Sequence, residues 1–177
     1  MPHSARPDTL TIQDLPTCGE ILQALSDLLT DSVAGGASVG FIAPLDRQVA
    51  LDYWRGVDQR LRSQDGRLLV ARQAGDIVGS VQIGLCKKQN GQHRGEIEKL
   101  MVKTDCRSTG IGTQLMAAAE AQARALGLRL LVLDTRQGDV SEALYAKCGF
   151  TRAGVIPGFA LSSNGQYNGT AIYYKTL

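Results

Sequence analysis

The sequence lacks the features that would place it in several large classes of protein. No apolar run approaches the ~20 residues that a membrane helix requires, and residues 1–8 carry no hydrophobic block behind their charges, so they are not a secretory signal. Neither sign of charge dominates. Nineteen basic against seventeen acidic residues leave a net +2, too little to imply nucleic acid as a partner. The local cluster of Lys87, Lys88, His93 and Arg94 reads as a solvated loop. The four cysteines, Cys18, Cys86, Cys106 and Cys148, are scattered and form no metal-like pair. No metal is therefore expected, and reduced thiols point to a cytoplasmic protein. There is no internal repeat and no linker. A chain of 177 residues, 44% of them hydrophobic, suits one domain over 1–177, with residues 1–10 expected to be a flexible leader.

What is present is organised around Arg107-Ser108-Thr109-Gly110-Ile111-Gly112. Before it lies a strand-like run from Ile97 to Val102. After it, Ile111, Leu115, Ala119, Ala123 and Leu126 recur at spacings of three and four, one apolar stripe on a helix over 113–126. The loop thus joins a strand to a helix N-terminus, where unpaired amides and the positive end of the helix dipole can hold an anion. Gly110 and Gly112 admit close backbone approach, Arg107 adds a cation, and Ser108 and Thr109 can donate hydrogen bonds or cap the helix. The loop is neither a dinucleotide fingerprint nor a Walker loop, because the third glycine and the Gly-Lys-Ser/Thr are missing.

Along the chain, helical spacing over 17–33 predicts a first helix, with Thr17 as N-cap and Glu20 completing a capping box. Gly35-Gly36 ends it. Asp46 caps a second helix reaching about Gln64, with Val49, Tyr53, Trp54, Val57 and Leu61 inward. The period then changes. Residues 67–73 and 77–85 read as strands joined by Ala74-Gly75-Asp76, and 95–102 as a third antiparallel strand. Its apolar parity shifts near Lys99, which predicts a β-bulge with unpaired backbone groups. The apolar run 130–135 after the central helix implies a right-handed crossover and a parallel pair. A short helix over 140–148 and strands over 150–156 and 170–176 complete the chain.

This order of elements, the Arg-x-x-Gly-x-Gly loop and the later Leu144-Tyr145-x-Lys147-x-Gly149-Phe150 together resemble the GCN5-related N-acetyltransferase (GNAT) family, from about Leu68 to Tyr174. The resemblance implies an α/β (α+β) fold with a mixed central sheet: antiparallel N-terminal strands, a splayed central parallel pair and flanking helices. It also implies acetyl-coenzyme A (acetyl-CoA) as co-substrate. The pyrophosphate would lie on the amides of Arg107 to Thr113, and the pantetheine arm along Leu100, Met101 and Val102 like an added strand. A bulge amide would face the acetyl oxygen. Many members carry Asn where this chain has Gly138, so Ser141 or Asp139 would supply the coenzyme contact from that turn.

Acetyl transfer to an amine needs a neutral nucleophile, a polarised carbonyl and a proton for the departing thiolate. By resemblance Tyr145 is the proton donor. Asp134, at the C-terminal edge of a buried strand where ligands collect, and Glu96 on the facing strand would bind the substrate ammonium and remove its proton, directly or through a water. Glu98 competes with Glu96 for that role. Trp54 would wall the acceptor site. Cys148 has no histidine nearby in sequence to support an acetyl-cysteine route, and His93 is a loop residue. The acceptor expected is the amine of a small amino-acid-like molecule, a β-lactam antimetabolite included, met by a monomer or homodimer. Alternatives are a protein, peptide or aminoglycoside acceptor, or a non-catalytic acetyl-CoA sensing module.

Overall fold

The computed structural model describes residues 9–177; most of the expected leader, residues 1–8, lies outside them. The elements are β1 (Thr11–Leu15), α1 (Leu22–Ala34), α2 (Arg47–Arg62), β2 (Gly66–Gln73), β3 (Asp76–Leu85), β4 (Arg94–Val102), α3 (Ile111–Ala125), β5 (Leu130–Arg136), α4 (Ser141–Lys147), β6 (Thr151–Leu161) and β7 (Tyr167–Thr176). Seven strands form one sheet in the order β1-β2-β3-β4-β5-β7-β6. Only the β4–β5 pair is parallel.

The sheet has an apolar layer on each face because the central strands are apolar at both parities. Along β2, Leu68 and Val70 join Leu25, Leu29, Trp54 and Leu61 of α1 and α2. The intervening Leu69 and Ala71 join Leu115, Ala119 and Ala123 of α3. Among the described residues no helix is long and apolar enough to cross a membrane.

The expected start of α1 is corrected. A 3-10 turn, Gly19–Ile21, precedes the helix, and its N-cap, Ile21, makes no side-chain cap bond. The Thr17 hydroxyl instead donates to the Asp58 carboxylate of α2, which also accepts the Cys18 amide at 2.7 Å. A charged acceptor outcompetes a capping box because hydrogen bonds to an ionised group are the stronger ones. In α2, Asp46 caps as expected, accepting from the Gln48 and Val49 amides at 2.8 and 3.2 Å. The buried stripe is Ala50, Trp54, Val57 and Leu61, with Val49 turned to solvent. Strand β1 was not expected. It is a short edge strand defined by its antiparallel register with β2, Thr11↔Arg72 to Leu15↔Leu68, and not by any pattern of its own.

Candidate active site

Two features open the middle of the sheet. The first is the bulge in β4. Ser80 pairs with Met101 and Gln82 with Glu98, so Lys99 and Leu100 together oppose one residue of β3, and Lys99 takes a left-handed φ of 50°. The second is the shortness of the parallel seam. β4 and β5 are in register only at Arg94↔Leu130, Gly95↔Leu131 and Glu96↔Val132, after which they diverge. Strand β5 continues against β7 as far as Arg136↔Thr170. The result is a wedge with the backbone of Leu100, Met101 and Val102 along one side.

The wedge leads to the N-terminus of α3. The first intrahelical bond there runs from the Gln114 amide to the Gly110 carbonyl at 3.1 Å, so the amides of Ile111, Gly112 and Thr113 precede any helical acceptor. Gly110 has φ 89°, a conformation that favours glycine. At Gly112 a Cβ would stand 3.3 Å from the Leu144 side chain, so the lack of one keeps the approach open. These residues, with Arg107, Ser108, Leu100, Met101, Val102, Ser141 and Tyr145, line a cavity of about 860 Å³. The expected hydroxyl cap does not form. The Thr109 hydroxyl donates to the Cys106 carbonyl at 2.6 Å, and Gly110 is the N-cap. The Arg107 guanidinium donates to the Val102 carbonyl at 3.2 Å, which fixes it at the cavity mouth.

A second cavity, of about 330 Å³, adjoins the first and shares Leu100, Ser141 and Tyr145 with it. Its walls carry Glu96, Glu98 and Lys99 from β4 and Asp134 from β5. The 37–40 segment after α1 and residues of β6 and β7 complete it. That segment is held in place by the Ala43 amide, which donates to the Ser163 hydroxyl at 2.9 Å, and by Arg136, which donates to the Gly36 carbonyl at 2.9 Å.

The carboxylates differ in their partners. Arg60 of α2 donates to both oxygens of Glu98 at 3.0 to 3.3 Å. Glu96 makes no side-chain hydrogen bond with a described residue, and Asp134 accepts only the neutral Thr170 hydroxyl, at 2.8 Å. Partial withdrawal from water, then the charges of Glu98 and Asp134, push the Glu96 carboxyl above the usual carboxylate range. Tyr145 is 7% exposed, packed against Phe150 and Tyr173 with ring centroids 6.2 and 6.1 Å away. Burial, then the charge of Asp139, raises its phenol, which stays protonated at neutral pH.

Tyr145, Asp134 and Glu96 are therefore brought to one cavity, and Trp54 is not. It is fully buried beneath α2, because its place in the inward stripe outweighs its aromatic character. The aromatic side chains that line the cavity are Tyr145 and Phe159, while Tyr53 and Phe41, packed edge to face at 5.3 Å, lie under the Lys99 ammonium. The Ser141 hydroxyl shares a hydrogen bond with that of Thr135 at 2.7 Å, and its amide donates to Asp139 at 3.0 Å. Lys99 and Arg60 were not expected here. The parity break at Lys99 signals the bulge, whereas nothing near Arg60 in sequence points to Glu98.

A long cavity ending at free helix amides, joined to a small acidic one across a splayed sheet, fits a phosphorylated acyl carrier meeting an amine. A profile of the acetyltransferase (GNAT) family matches residues 24–150. An uncharacterized N-acetyltransferase from the hisH-hisA intergenic region of Azospirillum brasilense is 34% identical over 134 residues, covering 75% of this chain and 74% of that protein. The L-methionine sulfoximine/L-methionine sulfone acetyltransferase of Pseudomonas aeruginosa is 31% identical over 102 residues, 56% of this chain and 59% of that one. Among solved structures, ribosomal-protein-alanine N-acetyltransferase from Brucella melitensis superposes with a TM-score of 0.80 at 23% identity, covering 94% of this chain and 99% of that one. The yncA protein of Salmonella typhimurium, solved with its cofactor acetyl-CoA, gives 0.78 at 18% identity, with 96% and 94% covered. The chain belongs to the GNAT family. It is an N-acetyltransferase that uses acetyl-CoA.

Proposed function

We propose that the acceptor is the amine of a small amino-acid-like molecule. The observation that carries this reading is the meeting of Glu96 and Asp134, neither held by a cation among the described residues, with Tyr145 in one cavity of about 330 Å³. Two carboxylates attract an ammonium, and a cavity of that size is at the small end of ligand sites. The Pseudomonas relative, named for methionine sulfoximine and methionine sulfone, supports an amino-acid acceptor. The wording of residues 35–41, 96–102, 133–135 and 170–177, which resembles the tabtoxin-resistance acetyltransferase, supports a β-lactam antimetabolite of that type within the class.

In this reading the free amides of Ile111, Gly112 and Thr113 hold the pyrophosphate of acetyl-CoA, with Arg107 beside them, and Leu100 to Val102 offer their backbone to the pantetheine arm. Acetyl-CoA supplies an activated acyl group. Asp134 orients the acceptor ammonium, and Glu96, whose raised pKa makes it a stronger base than an ordinary carboxylate, takes its proton directly or through a water. Tyr145 holds the proton that the departing sulfur requires. Acetylation removes the positive charge of the acceptor amine, which would disarm an antimetabolite recognised through that charge.

A thiol-release screen with acetyl-CoA and separate panels of amino acids, β-lactam amino acids, aminoglycosides and peptides tests the proposal. Turnover confined to the first two panels is expected. Selective turnover of aminoglycosides or peptides, or binding of acetyl-CoA with no thiol released in any panel, would sink it.

A further inference from the structure

We infer that Lys99 anchors a carboxylate of the acceptor, so that the cleft selects zwitterions over simple amines. This rests on the reading of the smaller cavity as the acceptor site. Two cations line that cavity, Lys99 and Arg136. Arg136 is committed, donating to Asp139 and to the Gly36 carbonyl, each at 2.9 Å. Lys99 makes no ion pair with a described residue. Its ammonium lies over the rings of Tyr53 and Phe41, 5.5 and 5.9 Å from their centroids, a seat that holds a cation without neutralising it.

Backbone geometry aims it. Strict alternation along β4 would send Lys99 to the face opposite Glu98, but the left-handed φ of 50° at the bulge turns it to the same wall. The nearest acid along the strand is already taken, because Arg60 donates to both oxygens of Glu98. The wall thus presents one uncommitted cation facing Glu96 and Asp134, which no cation among the described residues holds. A simple amine satisfies only the acidic side and leaves a desolvated ammonium without a counter-charge. An α-amino acid, with ammonium and carboxylate on one carbon, satisfies both. Burial, aided by the charge of Arg60, holds the Lys99 ammonium below its ordinary pKa, while Glu98, Asp134 and Glu96 favour its charged form.

The test compares L-methionine sulfone with its carboxamide, which keeps the shape and removes the negative charge. In the wild-type enzyme kcat/KM for the acid exceeds that for the amide by about 10- to 100-fold, the range of one hydrogen bond to a charged group. Lys99→Met collapses the acid-to-amide ratio toward one, chiefly through KM for the acid, and Lys99→Arg restores part of it. Equal wild-type values for acid and amide, or an acid preference intact in Lys99→Met, would overturn the inference. The wild-type comparison decides even where the variant fails to fold. If no acceptor releases thiol, the proposed function fails separately, and calorimetry with L-methionine sulfone in the presence of coenzyme A decides for Lys99. Binding weakened in Lys99→Met supports the anchor; equal binding, or none to wild type, refutes it.

Discussion

Tyr145 is almost wholly buried, yet its hydroxyl bonds to no described residue and borders both cavities. If it holds the proton for the leaving sulfur, Tyr145→Phe lowers kcat by about 100-fold or more, the usual worth of a positioned acid. Acetyl-CoA affinity, measured by calorimetry, stays unchanged. Unchanged kcat would remove the role. Glu96 gives a prediction with a sign. Its carboxyl is raised first by desolvation and then by Glu98, so Glu98→Gln removes a repelling charge and frees Arg60 to favour the carboxylate. The acid limb of kcat/KM then moves to lower pH, and a limb that stays put would dismiss Glu96 as the titrating base. Sequence brought Tyr145, Asp134 and Glu96 forward because a motif and two strand ends mark them. It could not separate Glu96 from Glu98, since the two share a parity and differ only in what Arg60, 38 positions from Glu98, does. For Trp54 it left two places, a wall of the acceptor site by resemblance and the core by the spacing that predicts α2, and the structure has it in the core.

Helices and strands were legible wherever burial is periodic. Helix α3 kept its stripe, with Ile111, Leu115, Ala119 and Ala123 all buried, and the apolar run of β5 became the central parallel strand. The contact between α3 and β3 was not legible, because it depends on an absence. A Cβ on Gly79 would meet the Leu115 side chain and the Met101 carbonyl, each at 2.9 Å. Gly79→Ala is therefore expected to destabilise the fold by about 1 to 3 kcal/mol, the ordinary cost of overpacking, read from urea midpoints. The junction before α1 was misread because its acceptor, Asp58, lies on another helix. Hydrogen bonds from Thr17, from Arg62 and from the Cys18 amide hold Asp58 well below the usual carboxylate range. A depressed folded-state pKa contributes stability that is complete above the unfolded value of about 4 and is lost as pH falls toward the folded one. Asp58→Asn will lower Tm at pH 7, and the gap to wild type will shrink below about pH 4. A gap constant down to pH 2 would refute this account.

The molecule as a whole is joined unevenly. Strands β1 to β4 form one ladder and β5 to β7 another, and register between them is confined to Arg94↔Leu130, Gly95↔Leu131 and Glu96↔Val132. Acetyl-CoA binds the folded state, so it will raise Tm by mass action, by about 2.7 kcal/mol of stability at a hundredfold excess over Kd. The general architecture was visible in the order of elements, but the extent of the split was not, because divergence of two strands is set by what packs on either side of them. The split also bears on cooperativity. Two ladders fastened over so short a seam will release their amide hydrogens as separate opening units in the free protein. An arm bonded along Leu100 to Val102 would bridge the gap and merge those units, so slowed exchange would spread past the cavity walls into both halves of the sheet. The donor would then serve this fold as a missing strand as well as a reagent.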